Sequence, residues 1–467
     1  MNLNFFLLLL LVFSQFEVFA NSNSNSSFES IVENKTSNIN VTSIVLNPNK
    51  AAIFLNNTIQ LTATVLPSNA INKTVIWASS NSGCATVNSA GLVTGKALGE
   101  VTISATTEDG AKIATCAITI YTLNGTRDAL KQPFSSTSIW NTPIGSNAVY
   151  VPAGILPPSK AGMTVDEDII ILSPSSPLTD IRMCTAGWNQ TKSRCTAEAG
   201  SVFPTKVPIP FDFVVNLPMD QVPNSCATIL MADGVTIRQT QPFARCVAGE
   251  PATSQYSYIS DMSINGDGRV GIHGGSGLSA LGGTIRAGEL KPGAGPIKHV
   301  LKLNVYAGMN LYYDITTKGF RWPASWADAY ASTTYGKTRP SNASVVKACR
   351  MGALVALKPT LDINDPTFLK TEPARMIAQA LQDYGAYIAD DTYWNVIAIE
   401  TEWGPNGRVV DNFCWDWGFP MVDSRLDSDW SSDMNKIFTN LHIIDNNSAS
   451  TIGGGGIPRV PLALPLQ

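Results

Sequence analysis

The chain has 467 residues, a formal net charge of −4 and only 15% charged residues. So sparse and slightly acidic a balance excludes a general nucleic-acid binder, which needs a basic face. The length allows two or three domains.

Taken in order, residues 1–20 carry a short apolar run, Phe5 to Phe13, with Val18 and Ala20 before an expected cut. This reads as a secretory signal. The run is too short to span a bilayer, and no later stretch is long and apolar enough either. A secreted, extracellular protein without a membrane span is expected. Residues 21–40 are an Asn/Ser-rich spacer expected to be disordered.

Residues 41–121 alternate apolar and polar positions in short runs separated by turn residues, the pattern of a β-sandwich. Leu61-Thr62-Ala63, Pro67, Trp77, Ser79-Ser80-Asn81, Ala85-Thr86-Val87, Gly91, Val93-Thr94-Gly95 and Gly99 stand in an order that closely resembles the bacterial Ig-like type 2 (BIG2) domain. The resemblance implies a spacer or adhesive module. Trp77 reads as a core residue of a small sandwich ahead of a sugar platform.

Residues 122–131 read as a linker and 132–467 as one large putative catalytic domain. Ala232-Asp233-Gly234 marks a hairpin. HVLKLNVYA, NLYYDI, MGALVALKP, AYIADD and WNVIAIE read as strands. Helices are expected at Glu372 to Tyr384, where Thr371 is the N-cap candidate and Pro373 sits in the first turn, and within SDWSSDMNKIFTNLHII. The fold class is therefore mainly β: an Ig-like sandwich, then a large sandwich- or barrel-like β domain with a few helices. SIWNTP, GDG-x-x-G-x-HGGSGLS, RWPA-x-x-AD, ALQDYGAYI-x-DD and the closing GGGG-x-PR also resemble an uncharacterised group of secreted microbial proteins. That resemblance spans the whole second domain and implies no defined activity.

Eight cysteines in an exported chain allow four bridges. The nearest pairings are Cys84–Cys116, Cys184–Cys195, Cys226–Cys246 and Cys349–Cys414. Asn-x-Ser/Thr sites at Asn25, Asn34, Asn40, Asn56, Asn72, Asn124, Asn189, Asn342 and Asn446 are candidate glycan acceptors.

The stretch from Asn265 to Leu290 is dense in glycine and holds His273, Ser276, Asp267, Arg286 and Glu289. Gly274 to Gly277 could form an anion-binding nest. One reading makes Ser276 a nucleophile, His273 (or His299) its base and Asp267 (or Asp314) the orienter. The nucleophile elbow G-x-S-x-G is not met, because Leu278 replaces the second glycine. A second reading places two carboxylates from Asp267, Glu289, Asp390, Asp391, Glu400 and Glu402 across a sugar cleft. Trp322, Trp326, Trp394, Trp403, Trp415 and Trp417 would line its subsites. A third makes Arg286 and Arg321 clamps for an acidic polymer, with a His or Tyr base. Ile272-His273-Gly274 and Gly282-Gly283-Thr284-Ile285-Arg286 partly resemble the L,D-transpeptidase site, but Thr284 stands where the nucleophilic Cys belongs.

Without H-x-H, H-E-x-x-H or C-x-x-C, no metal and no cofactor are expected. The sequence thus points to a secreted hydrolase of an extracellular polymer, polysaccharide or acidic polyester. The alternatives are a uronate lyase and a non-catalytic adhesion or matrix glycoprotein. Oligomeric state is open.

Overall fold

The computed structural model describes residues 39–217, 223–259, 261–341 and 343–467. The expected signal, most of the spacer and the sequons at Asn25, Asn34 and Asn342 lie outside the described residues. Asn40–Gln467 form one compact unit, and the fold is mainly β.

The first module is the expected sandwich. Lys50–Phe54, Ile113–Tyr121, Gly99–Thr107 and Val75–Ser79 make a four-stranded sheet, with Ser43–Asn47/Thr62–Leu66 and a three-stranded sheet beside it. Alternate residues such as Ile44, Leu46, Val101, Ile103, Ile118 and Ile120 point inward and form its core. Trp77 packs on that core.

Eleven further strands define the path of a second sheet: β1 (Tyr150–Pro152), β2 (Thr164–Ile171), β3 (Ile181–Met183), β4 (Ala227–Leu230), β5 (Thr236–Ala244), β6 (Ala252–Tyr256), β7 (Leu301–Val305), β8 (Leu354–Ala356), β9 (Ala386–Asp391), β10 (Ile397–Gly404) and β11 (His442–Ile444). Two short strands, Met262–Ser263 and Gly407–Arg408, join β5 and β10. The order is β1-β11-β8-β9-β7-β10-β2-β4-β5-β6-β3. The path is open, and the domain is mainly β with a few helices, as expected. The Asp-Gly hairpin joins β4 and β5 as expected, with Gly234 at φ 70°. NLYYDI forms no strand: Asn310 ends a four-residue helical turn (Ala307–Asn310) and the next four residues carry no regular structure.

Helix α1 (Glu372–Asp383) starts at the expected Pro turn. Thr371 does not cap it through its own side chain; its hydroxyl donates to Asp433 instead. The helix buries Ala374, Ile377, Ala378 and Leu381, so Ile377→Ala would cost about 2–5 kcal/mol. Helix α2 (Val409–Trp417) was not foreseen, and α3 (Asp429–Thr439) was.

Residues 122–131 are pinned. Arg127 is buried, and its Nε donates to the Leu464 carbonyl (2.7 Å). The chain end then crosses the sandwich, where Ala52 N donates to Pro458 O (2.8 Å). Lys50 pairs with Asp383 at the end of α1 (2.8 Å).

The cysteine pairing differs from the nearest-neighbour expectation. Cys195 is joined to Cys246, so neither Cys184–Cys195 nor Cys226–Cys246 forms. The reason is topological: the bridge ties the loop after β3 to the end of β5, while Cys226 lies at the start of β4 and faces the sheet's polar cluster. Cys84, Cys116, Cys184 and Cys349 are buried thiols and Cys414 is exposed. Both Cys349 and Cys414 are free thiols, so the expected Cys349–Cys414 bridge does not form, nor does Cys84–Cys116. Asn40, Asn56, Asn72, Asn124 and Asn189 are exposed, except that Asn72 is only partly so. Asn446 is a correction: its amide donates to Asn147 O and Gly454 O, and its oxygen accepts from Val149 N. An amide so committed is not free to carry a glycan.

Candidate active site

The central strands alternate polar with apolar residues although both faces are buried. Asp166 and Asp168 on β2, Glu400 and Glu402 on β10, Lys302 and Asn304 on β7, and Gln239 and Gln241 on β5 are all buried. Asp166 lies opposite Glu400, and Asp168 opposite Glu402. Cys226 stands one residue before the Ile169–Ala227 pair, on the same face as Asp168. A register shift between Leu303 and Asn304 brings Asp390 of β9 opposite Asn304. Such a bulge re-aims a side chain.

The glycine-rich stretch lies over this face. Gly275 has to be glycine, because a Cβ would run into Asp390 Oδ1. Gly283, at φ 79°, presses on Trp140 and on the Lys302 stem. In return the sheet's polar groups hold the stretch. Lys302 Nζ donates to the Ser279 and Ala280 carbonyls (3.1 and 3.2 Å), and Ala280 N donates to Gln239 (2.8 Å).

His273 is wholly buried at the centre. Its Nδ1 is 3.2 Å from Asp390 Oδ2, and its Nε2 is 3.4 Å from Asp168 Oδ1 and 3.6 Å from Glu400 Oε1. Burial opposes a charged ring, but the acidic neighbours Cys226, Glu400 and Asp168 outweigh it and hold the pKa well above the ordinary 6.5. Burial pushes the Cys226 thiol up to about 12. Asp168 is held below the usual range: burial would raise it, but Lys302 (2.6 Å) and His273 prevail. The Thr284 hydroxyl also donates to Asp168 Oδ2 (2.6 Å). Asp166 is pushed up to about 6 by burial and by Asp168 and Asp390. Glu400 is pushed well above its ordinary value by burial and by Asp166 and Asp168. Asn304 bridges these last two.

From Asp390 the cluster reaches the surface. Asp391 Oδ1 accepts from Ala307 N and Tyr393 N (both 2.9 Å), and its Oδ2 accepts from the Tyr330 hydroxyl (3.3 Å). Asp328 accepts from the Tyr335 hydroxyl (2.6 Å). Burial, then Asp390 and Asp391, push the Asp328 carboxyl up to about 7 against that hydrogen bond. On the two loops that carry Asp328 and Asp391, Trp326, Tyr330, Tyr393 and Trp394 are 42, 37, 77 and 51% exposed. Tyr330 and Tyr393 meet edge to face at 6.2 Å. The motifs RWPASWAD and ALQDYGAYIADD, some sixty residues apart, thus meet in one place.

The other sequence candidates are dispersed. Ser276 is buried in a turn. Its hydroxyl accepts from Leu278 N, and the amides of Ser276 and Gly277 return to the His273 carbonyl, so these groups do not open as an anion nest. Both ring nitrogens of His273 face carboxylates, Nδ1 Asp390 and Nε2 Asp168 and Glu400, so the ring is committed elsewhere than to Ser276. Asp267 caps its own turn through Arg269 N. Arg286 makes a bidentate pair with Glu402 (2.8 and 3.4 Å), and Glu289 pairs with His299 (3.0 Å). Arg321 is bound to Asp445, and Trp322 packs into the core beside Trp140. Neither arginine keeps a free fork for an anion. A separate depression of about 260 Å³, much of it open to solvent, is lined by Trp140, Thr284, Arg286 and His299.

Asp166, Asp168, Lys302, Asn304 and Cys226 were missed as site residues. For all but Cys226 the signal was there in TVDEDIIIL and HVLKLNVYA, where Asp166 and Asp168, and Lys302 and Asn304, stand two residues apart inside otherwise largely apolar strands.

Residues 40–118 match the family described as Bacterial Ig-like domain (group 2). The first module is a bacterial Ig-like domain. Its relatives include an Ig-like virion protein of Serratia phage KSP90, 43% identical over 17% of this chain and 31% of that protein. An alpha-L-arabinofuranosidase of Bifidobacterium longum is 34% identical over 23% of this chain and 10% of its own length. A kappa-carrageenase of Pseudoalteromonas carrageenovora is 41% identical over 17% of this chain and 20% of its own length. These matches cover Ig-like segments, and this chain spans no more than about a third of any of these relatives. Ig-like modules like this one thus occur in carbohydrate-active proteins. No helix among the described residues is long and apolar enough to cross a membrane.

Proposed function

We propose that this chain is an exported hydrolase of a polysaccharide, with residues 41–121 as a module and residues 132–467 as the part that carries the reaction. The observation that supports this most is the Asp328 carboxyl, pushed up to about 7 by burial and by Asp390 and Asp391, next to the exposed Tyr330–Tyr393 pair whose Tyr330 hydroxyl donates to Asp391. Glycoside hydrolysis needs one carboxyl that keeps its proton near neutrality and another that serves as carboxylate, in environments that separate their pKa values. Aromatic faces give sugars broad apolar contact. Asp328 is the general acid. Asp390 and Asp391 are the carboxylates on the facing side, and His273 orients Asp390. Two of the enzymes that share the Ig-like module act on carbohydrates by name, which agrees with this reading.

A uronate lyase is favoured less. Burial and the carboxyls around them raise Tyr330 and Tyr335 well above the usual tyrosine range, which makes them poor bases. Arg286 and Arg321 are already paired. The test is release of reducing ends from a panel of neutral and acidic polysaccharides. Asp328→Asn is expected to lose about 10²- to 10⁴-fold in kcat. Tyr393→Ala is expected to raise KM about tenfold with kcat kept. A wild type inert on the whole panel, or an Asp328→Asn enzyme of full activity, overturns the proposal.

A further inference from the structure

Behind the proposed surface site lies a set of atoms that the hydrogen-bond network leaves unused. Among the described residues, Asp168, Cys226 and His273 each offer one donor atom, and these atoms lie within 4.8 Å of one another. His273 Nε2 and Asp168 Oδ1 are fully buried and have no hydrogen-bond partner. Glu400 Oε2, in the same cluster, has none either. Buried polar atoms without partners are costly, on the order of 1–3 kcal/mol each, and here two of them, His273 Nε2 and Asp168 Oδ1, lie 3.4 Å apart beside a thiol.

We propose that Asp168 Oδ1, Cys226 Sγ and His273 Nε2 bind a divalent transition-metal ion of the zinc class, with a Glu400 carboxylate oxygen as the fourth donor. Four features of the fold support it. First, the spacing fits. Zinc bonds of about 2.0–2.3 Å in a tetrahedron put donor atoms about 3.3–3.8 Å apart. Nε2 stands 3.4 Å from Asp168 Oδ1 and 3.6 Å from Glu400 Oε1. Second, the ring orientation fits. Nδ1 against Asp390 Oδ2 (3.2 Å) turns Nε2 toward Asp168 and Glu400, where a bound ion would take the place of the Nε2 proton, and a carboxylate behind a ligating imidazole is the usual support of such a site. Third, Lys302 and Thr284 both engage Asp168 through Oδ2, which orients Oδ1 inward without occupying it. Fourth, the donor types suit the ion. One thiolate, one imidazole and carboxylate oxygen favour a borderline-soft cation over calcium or magnesium, which take oxygen alone. The ion would lock the imidazole, and through Nδ1 the Asp390 carboxyl, in place beneath the surface site. The inference does not depend on the proposed reaction.

The experiment uses the full exported chain purified without chelator. Elemental analysis is expected to find about one zinc per chain. Chelation is expected to lower Tm and re-addition of zinc to restore it. Cobalt replacement is expected to give thiolate-to-cobalt charge-transfer absorption, present in Cys184→Ser and absent in Cys226→Ser. Asp390→Asn, which keeps all the ligands, is expected to weaken zinc binding by about 10–100-fold. A folded wild type that holds no stoichiometric zinc, nickel, cobalt or iron and gains no Tm with added zinc overturns the inference. So does a Cys226→Ser protein that keeps both the absorption band and the affinity. A Cys226→Ser variant that fails to fold leaves the wild-type metal content and the Asp390→Asn titration to decide.

Discussion

Replacing Asp328 by Asn separates a carboxyl that works as an acid from one that merely sits in a loop. Asn keeps the shape and can still accept from the Tyr335 hydroxyl. What changes is charge. The wild-type carboxyl moves from an ordinary 3.8 to about 7 on folding, because of burial and then the facing Asp390 and Asp391. The sign follows. Between about pH 4 and pH 7 the folded chain holds a proton that the unfolded chain has lost, so this group's contribution to stability falls as pH rises through that window. A shift of about three units corresponds to roughly 4 kcal/mol, and partial exposure reduces it to roughly 2 kcal/mol. Asp328→Asn removes that loss. It is expected to match the wild type in Tm at pH 4 and to exceed it by a few degrees at pH 8. The assay is thermal unfolding of both proteins across pH 4–9 at fixed ionic strength. A Tm difference that does not vary with pH, or one that falls as pH rises, refutes the environment assigned to Asp328.

Two further outcomes follow from the buried network and the bridge. Lys302→Met strands Asp168 in the core and is expected to cost about 3–5 kcal/mol, with part regained in the Lys302→Met/Asp168→Asn double variant. Denaturant midpoints of the two single variants and the double measure this, and simple additivity would dissolve the pair. Cys195→Ser opens a 51-residue span and is expected to cost about 4 kcal/mol on the loop-entropy account. Peptide mapping under non-reducing conditions should recover the Cys195–Cys246 peptide pair; recovering Cys226–Cys246 instead would overturn the topology of that edge.

Much of the architecture was legible in the chain. Period-two alternation over residues 41–121 suffices for a sandwich, because each short strand must hide one face. The Ala232-Asp233-Gly234 turn and helix α1 likewise carry their signals locally, in an αL glycine and in a proline in the first turn. Glycine density picked out the stretch over the site, and His273 within it. Roles were not legible. Ser276 and Asp267 follow His273 closely in sequence, yet a tight turn and a surface loop take them away from it. Arg286 found Glu402 on another strand rather than Glu289 three residues on. Single carboxyls in Asp328 and in Asp390 and Asp391 look like surface acids until the register shift in β7 and β9 and the RWPASWAD loop bring them together. Local sequence determines which segments pleat, turn or coil, because those preferences are set by neighbouring residues. Which acids share a site, which histidine they surround and which cysteines meet is decided only when strands distant in sequence pack side by side, since burial and charge act through space.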